Sequence, residues 1–171
     1  MKKTLISLIA LFTFVNVHAA GPCDGITVTM NILNQTDVSC FGLNDGTAMV
    51  EGTGGYAPYV FDWTPGPLAG DTQTGLAPGT YYITVTDDSL CTTLDSVIIT
   101  EPPALVVTAV STPATCGSAD GTATASATGG AGSYSFSWFP IGGNNAAAVG
   151  LVPSSYTVTV TDADMCTDDF V

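Results

Sequence analysis

Cysteine and carboxylate are the side chains of this protein with chemistry to offer at neutral pH. Cys40, Cys91, Cys116 and Cys166 recur at a spacing that suits a disulfide framework, and Cys23 stands apart near the start. Asp45, Asp87 and Asp88, and again Asp120, Asp162 and Asp164, sit at turn-like positions. Carboxylates gathered at the edge of a strand and a turn can hold Ca²⁺, which takes roughly six to eight oxygens. The plainer reading makes them turn formers and solubilising charge. Calcium is the one cofactor the sequence leaves open.

The rest of the composition excludes more than these residues propose. The chain carries 15 acidic residues against two Lys or Arg and one His, a formal charge of −13. Lys2, Lys3 and His18 all lie in "MKKTLISLIALFTFVNVHAA", whose basic start, apolar run and small-residue close read as a secretory signal peptide. Cleavage is expected after Ala19. The apolar run from Leu5 to Val15 is shorter than the about 20 residues of a bilayer span. Cys23 follows Gly-Pro and not a lipobox, and no membrane insertion of the mature chain is expected. That mature chain then has no Lys, Arg or His. Such a chain offers no phosphate clamp and no nucleic-acid footprint. Histidine-dependent nucleophilic catalysis and histidine metal sites go with them.

The elements that must position these residues read as strands. Short alternating runs are separated by Gly, Pro and Asp, the pattern of an all-β sandwich or barrel. In "YVFDW", Tyr59, Phe61 and Trp63 point one way, and Val60 and Asp62 the other. In "YYITVTD", Tyr81, Ile83 and Val85 share a face, and in "TATASAT" Ala123, Ala125 and Ala127 do. One face is apolar and one hydroxyl-rich, as for a sheet with a buried and a wet side.

The same text occurs twice. "DGTAMVEGTGGYAPYVFDWTP" from Asp45 is answered by "DGTATASATGGAGSYSFSWFP" from Asp120, and Trp63 with Trp138, Tyr81 with Tyr156 and Cys91 with Cys166 keep the same step of 75. Only Cys40 and Cys116 break it, by one residue. That period exceeds the about 20–50 residues of a solenoid turn and suffices for a small domain with its own core. The reading is a signal peptide over 1–19, a first β-sandwich over 20–102 and a second over 103–171, cut short in its last strand. Tyr59, Phe61, Trp63 and Tyr81, with Tyr134, Phe136, Trp138 and Tyr156, are the expected core scaffold. A Trp on a central strand and a Tyr opening a later strand after a Leu-x-Pro turn suggest an immunoglobulin-like sandwich with a tyrosine-corner contact. The repeated Gly residues read as turns, not as a phosphate loop. Glycoside hydrolysis needs two acids roughly 5–10 Å apart. Asp62 is the tempting acid, but its counterpart is Ser137 and the only glutamates are Glu51 and Glu101. No catalytic residue is expected. The aromatic face reads as core before it reads as a sugar-stacking platform.

The ordered set of Cys, "DGTA", "TGG", Tyr-x-Phe-x-Trp, Gly-Leu-x-Pro and Tyr-x-[Ile/Val]-Thr-Val-Thr-Asp-x(3)-Cys-Thr resembles the SprB-type repeat, twice. That repeat is arrayed in large surface adhesins of gliding Bacteroidetes. The resemblance implies an exported, cell-surface, non-catalytic repeat region, adhesive or stalk-forming. Its partners would be surface glycans, other surface proteins or further repeats of the same polypeptide. The second repeat stops at Val171 inside its expected last strand, so the chain reads as the beginning of a longer protein. The alternative is a set of accessory modules, carbohydrate-binding or not, of a larger secreted enzyme.

Strand count governs the cysteines. "ITEPPAL", from Ile99 to Leu105, is a short stiff joint, because paired prolines cannot extend a sheet. The segment between Trp63 and Leu76 reads as one turn and one strand, giving six strands per module. With six, the first and last turns share an end, and the expected bonds are Cys40–Cys91 and Cys116–Cys166. Each closes a loop of roughly 50 residues, a gain of about 4 kcal/mol by chain entropy. Both termini of a module would then share an end, and successive modules would turn at the joint. A seventh strand would make a straight rod and forbid those bonds. The rival pairing is Cys23–Cys40 and Cys91–Cys116, with Cys166 left for a following repeat.

Overall fold

The computed structural model describes Cys23 and residues 27–171. The expected signal peptide and its cleavage point lie outside the described residues. The first module runs through β1 (Thr29–Thr36), β2 (Gly46–Thr53), β3 (Val60–Thr64), β4 (Leu68–Ala69), β5 (Thr72–Leu76), β6 (Gly79–Thr86) and β7 (Thr92–Ile99). Two antiparallel sheets result, β1-β2-β5 and β4-β3-β6-β7. The second module repeats them with β8 (Val106–Thr112), β9 (Gly121–Thr128), β10 (Ser135–Phe139), β11 (Ala147–Leu151), β12 (Thr157–Thr161) and β13 (Thr167–Phe170). Its sheets are β8-β9-β11 and β10-β12-β13. The protein is all-β, a pair of sandwiches with immunoglobulin-like strand order.

Alternation in sequence becomes burial in space. Phe61 and Trp63 are buried, and Val60 and Asp62 exposed; Tyr81, Ile83 and Val85 are buried while Tyr82 is exposed. Each module has its own apolar core, one gathered around Trp63, Ile83, Val85 and Ile99, the other around Trp138, Ala148, Val158 and Val160. The indole N–H of Trp63 donates to the carbonyl of Gly70 at 2.8 Å, and that of Trp138 to Asn145 at 2.9 Å. Tyr81 and Tyr156 each donate a hydroxyl hydrogen bond four residues back, to Ala77 and Val152, both at 3.1 Å. That is the tyrosine-corner contact. Tyr59 and Tyr134 lie half-buried against the cores and donate to the carbonyls of Gly54 and Gly129. Phe136 is half-buried on the same face as Trp138.

The expected six strands per module are corrected in the first module to seven. Gly66 and Gly70, at φ of 101° and 93°, bend the chain on either side of β4. The stretch from Thr64 to Leu76 thereby holds two reversals: β4 pairs with β3, and β5 crosses to pair with β2. In the second module the segment after β10 keeps one backbone bond of that hairpin, Trp138 N–H to Gly143 O, so the path is the same. Following the registers, β1 starts at the end where β2 finishes, β3 starts there too, and β7 finishes at the opposite end. A module therefore has an entry end and an exit end. The termini do not share an end, and the second module continues from the first instead of doubling back.

Candidate functional site: the joint between modules

Two turns, each built twice, bring the chemistry-bearing residues to the module ends. At the entry end, the turn between β6 and β7 is organised by Asp87. One carboxylate oxygen accepts the N–H groups of Ser89 and Cys91 at 2.9 and 2.8 Å, and the other accepts Tyr56 N–H at 2.9 Å. Asp162 repeats this with Asp164, Cys166 and Ala131 at 3.0, 2.9 and 2.8 Å. These aspartates are only 3% and 5% exposed. A carboxylate without a cation can be buried when its lone pairs meet several N–H groups. Burial pushes the Asp87 carboxyl up, but the N–H groups of Tyr56, Cys91 and Ser89 outweigh it and hold it below its ordinary 3.8. At Asp162 the Ala131 N–H has the largest effect, burial opposes it, and Cys166 and Asp164 complete the lowering. The residue before each cysteine, Leu90 or Met165, is left-handed at φ 64° or 68°, with its apolar side chain 78% or 79% exposed.

The exit-end turn follows the first strand of each module. Asp45 accepts the N–H and hydroxyl of Ser39 at 2.9 and 2.5 Å, and Asp120 those of Thr115 at 2.7 and 2.6 Å. The residue so clamped immediately precedes Cys40 or Cys116. The hydroxyl and then the backbone N–H hold both carboxyls below their ordinary range. Asp88 and Asp164 are exposed and lie at the entry ends. The six aspartates offered as calcium ligands are thus divided between opposite ends, and four of them are engaged by N–H or hydroxyl donors. Among the described residues no group of three or more His, Cys, Asp or Glu is placed to hold a metal ion.

The cysteine pairing is a correction. Cys40 is bonded to Cys166, with Cα atoms 5.7 Å apart, and Cys23 to Cys91, at 5.4 Å. Cys116 is free and exposed. Neither Cys40–Cys91 nor Cys116–Cys166 forms, because the extra reversal after the tryptophan strand, β4 in the first module and the Trp138–Gly143 turn in the second, puts the members of each pair at opposite ends of a module. Nor does either bond of the rival pairing, Cys23–Cys40 and Cys91–Cys116, form. Cys40 at the exit end of the first module instead meets Cys166 at the entry end of the second.

The linker between them is pinned on both sides. On the first module, Thr100 N–H donates to Asp37 at 2.8 Å, Val38 N–H to Thr100 O at 3.1 Å, and Gly42 N–H to the Glu101 carboxylate at 3.0 Å. On the second, Gly130 N–H donates to Pro103 O at 2.8 Å. A crevice of about 360 Å³ remains, lined by Phe41, Leu43, Pro102, Pro103 and Met165 beside the disulfide. The cysteines are plain in the sequence, but the joint they make is not. The signal was the one-residue break in step at Cys40 and Cys116, which marks the exit-end turn as the place where the copies differ.

Nothing here resembles a sugar platform built on tryptophan, since Trp63 and Trp138 are 2% and 7% exposed. Asp62 and Ser137 are both exposed on outward faces, and Glu101 is taken up by the joint. No curated protein matches the chain. The SprB repeat family model matches it at residues 32–68 and again at 108–143, from the first strand of each sandwich into the hairpin after its tryptophan strand. The two matches fall once in each sandwich, consistent with two SprB-type repeats in tandem.

Proposed function

We propose that the chain is a stalk segment of an exported, non-catalytic bacterial cell-surface adhesin, which holds an adhesive region away from the cell. The observation that carries this reading is the Cys40–Cys166 bond across a linker pinned to both modules. A binding module needs only its own surface to be intact. A covalent tie between the exit of one module and the entry of the next serves the transmission of force and the fixing of direction. The oxidised cysteines favour an extracytoplasmic setting, where disulfides persist. The all-acidic surface suits a solvated, non-associating stalk. Attachment to glycans or surface proteins, and gliding in particular, would be properties of the assembly this segment belongs to.

The test is made on cells of the source bacterium. Antibody against residues 103–171 is expected to label intact cells, and cells lacking the coding region are expected to lose adhesion to surfaces or beads. Recovery of the chain only in the culture fluid, joined to a glycan-degrading activity, would favour accessory modules of a secreted enzyme instead.

A further inference from the structure

We infer that Cys116 is the donor half of another inter-module staple: it forms a disulfide with the entry-end cysteine of a further module of this kind. The inference rests on the repeat-region reading and names the partner of its exit end. Cys116 occupies in the second module the place that Cys40 occupies in the first. Cys40 is not free; it is bonded to Cys166, in the turn before the last strand of the next module. A second bond in the same molecule follows the same rule from the other side. Cys91, in the entry-end turn of the first module, is bonded to Cys23, which precedes that module. Both entry-end cysteines of the chain therefore take their partner from what lies before them. One of the two exit-end cysteines gives its sulfur to what lies after it. Cys116 is the remaining exit-end cysteine, and it is exposed and unbonded.

The two exit-end turns are built alike, so Cys116 is presented as Cys40 is. Thr115 is clamped by Asp120 through both carboxylate oxygens, as Ser39 is by Asp45. The rims differ. Phe41 and Leu43 line the crevice of the existing joint, whereas Gly117, Ser118 and Ala119 stand beside Cys116. A joint there would have less apolar contact to hold it, and the covalent bond would carry more of the connection. The expected partner is thus a β-sandwich with an aspartate-capped turn and a cysteine four residues after the aspartate, as Asp162 and Cys166 are arranged.

Bond formation needs a disulfide oxidant, such as oxidised glutathione or an extracytoplasmic dithiol oxidase. The Cys116 thiolate attacks one sulfur of the oxidant and expels the other as a thiol. The incoming cysteine's thiolate then attacks the Cys116 sulfur of the mixed disulfide and expels the second thiol. Two cysteine thiols are oxidised, the oxidant disulfide is reduced to two thiols, and the two cysteine protons end on them.

The test uses the full chain with Cys40→Ser, which frees Cys166 as a model acceptor and leaves Cys116 as the donor. In a glutathione redox buffer, C40S is expected to form head-to-tail oligomers. Peptic mapping should give Cys116–Cys166 peptides about tenfold or more over Cys116–Cys116 ones; random pairing would give only a twofold excess. The C40S/C116S double variant should stay free of head-to-tail oligomers. Cys116–Cys116 dimers at or above the random share, or a Cys116 thiol that stays titratable in C40S, would overturn the inference. If C40S loses its native circular dichroism, Cys40→Ala replaces it and is read in the same way: an excess of Cys116–Cys166 peptides supports the staple, and random pairing or a Cys116 thiol that stays titratable overturns it. Neither result bears on whether antibody labels intact cells, so the surface reading stands or falls separately.

Discussion

Asp87 and Asp162 organise the turns that present the entry-end cysteines, and they do so as buried anions fed by three backbone N–H groups each. Their folded carboxyls lie below the ordinary 3.8. A depressed carboxyl contributes stability that is fully present above its unfolded value and fades as pH falls through its folded one. The melting temperature is therefore expected to hold down to about pH 5 and to fall below about pH 4. Asp87→Asn and Asp162→Asn should lower it already at pH 7, because an amide oxygen is a weaker acceptor and its NH₂ confronts donors. The double variant should also lose part of the acid-induced fall. Equal acid slopes in wild type and variant would mean these groups are not the ones titrating. Tyr81→Phe tests the corner contact, and the lost hydrogen bond should cost about 0.5–1.5 kcal/mol by urea unfolding. Tyr156→Phe should cost less, since its hydroxyl is exposed and water can replace the protein carbonyl.

Most strands were legible because period-two alternation is a direct record of a half-buried sheet. Val60 and Asp62 out, Phe61 and Trp63 in, needed no tertiary information. What escaped was β4, a strand of two residues, too short to carry a period of any kind. It exists because Gly66 and Gly70 allow reversals that other residues resist. Missing it reversed the parity of the module, and with parity went the disulfides and the direction of the second module. The cysteines themselves were plain in the sequence, but their pairing is a property of which end each turn occupies. Glycines also separate element from joint. Gly129 and Gly143 sit at φ of 77° and 78°, so a side chain strains the backbone alike at both. A Cβ at Gly143 meets nothing within 4 Å, whereas at Gly129 it would stand 1.9 Å from the Ala104 carbonyl oxygen. Gly143→Ala should cost about 1–2 kcal/mol from backbone conformation alone. Gly129→Ala should cost clearly more, because it also drives the linker off the second module. Equal unfolding free energies would show that the linker yields without penalty.

On the scale of the whole molecule, charge of one sign and a stapled joint act on the same object. All charged side chains among the described residues are acidic, so no ion pair offsets their repulsion. Sodium chloride should raise the melting temperature between about 0.01 and 0.1 M, as the screening length falls from about 30 to 10 Å. Calcium at matched ionic strength should add nothing, because Asp45, Asp87, Asp120 and Asp162 are already engaged by protein donors. An extra calcium-specific rise would reopen a metal site. The joint decides the molecule's shape. Cys40 and Cys166 are 126 residues apart, and closing so long a loop lowers the entropy of the unfolded chain by an amount equivalent to about 5 kcal/mol. The native state feels the same bond as stiffness. Without it, the ties left at the joint pin the linker to each module separately, through Gly42 with Glu101 and Gly130 with Pro103. Between the Thr100 and Pro103 ties, backbone rotation at Glu101 and Pro102 is left as a hinge. Cys40→Ser should therefore broaden the distribution of module-to-module distances in small-angle scattering or paired spin-label measurements, while circular dichroism stays native. The wild-type chain should show one narrow distance that widens on reduction. An unchanged distribution in both would mean that the pinned linker alone sets the direction, and that the disulfide serves the unfolded state and not the rod.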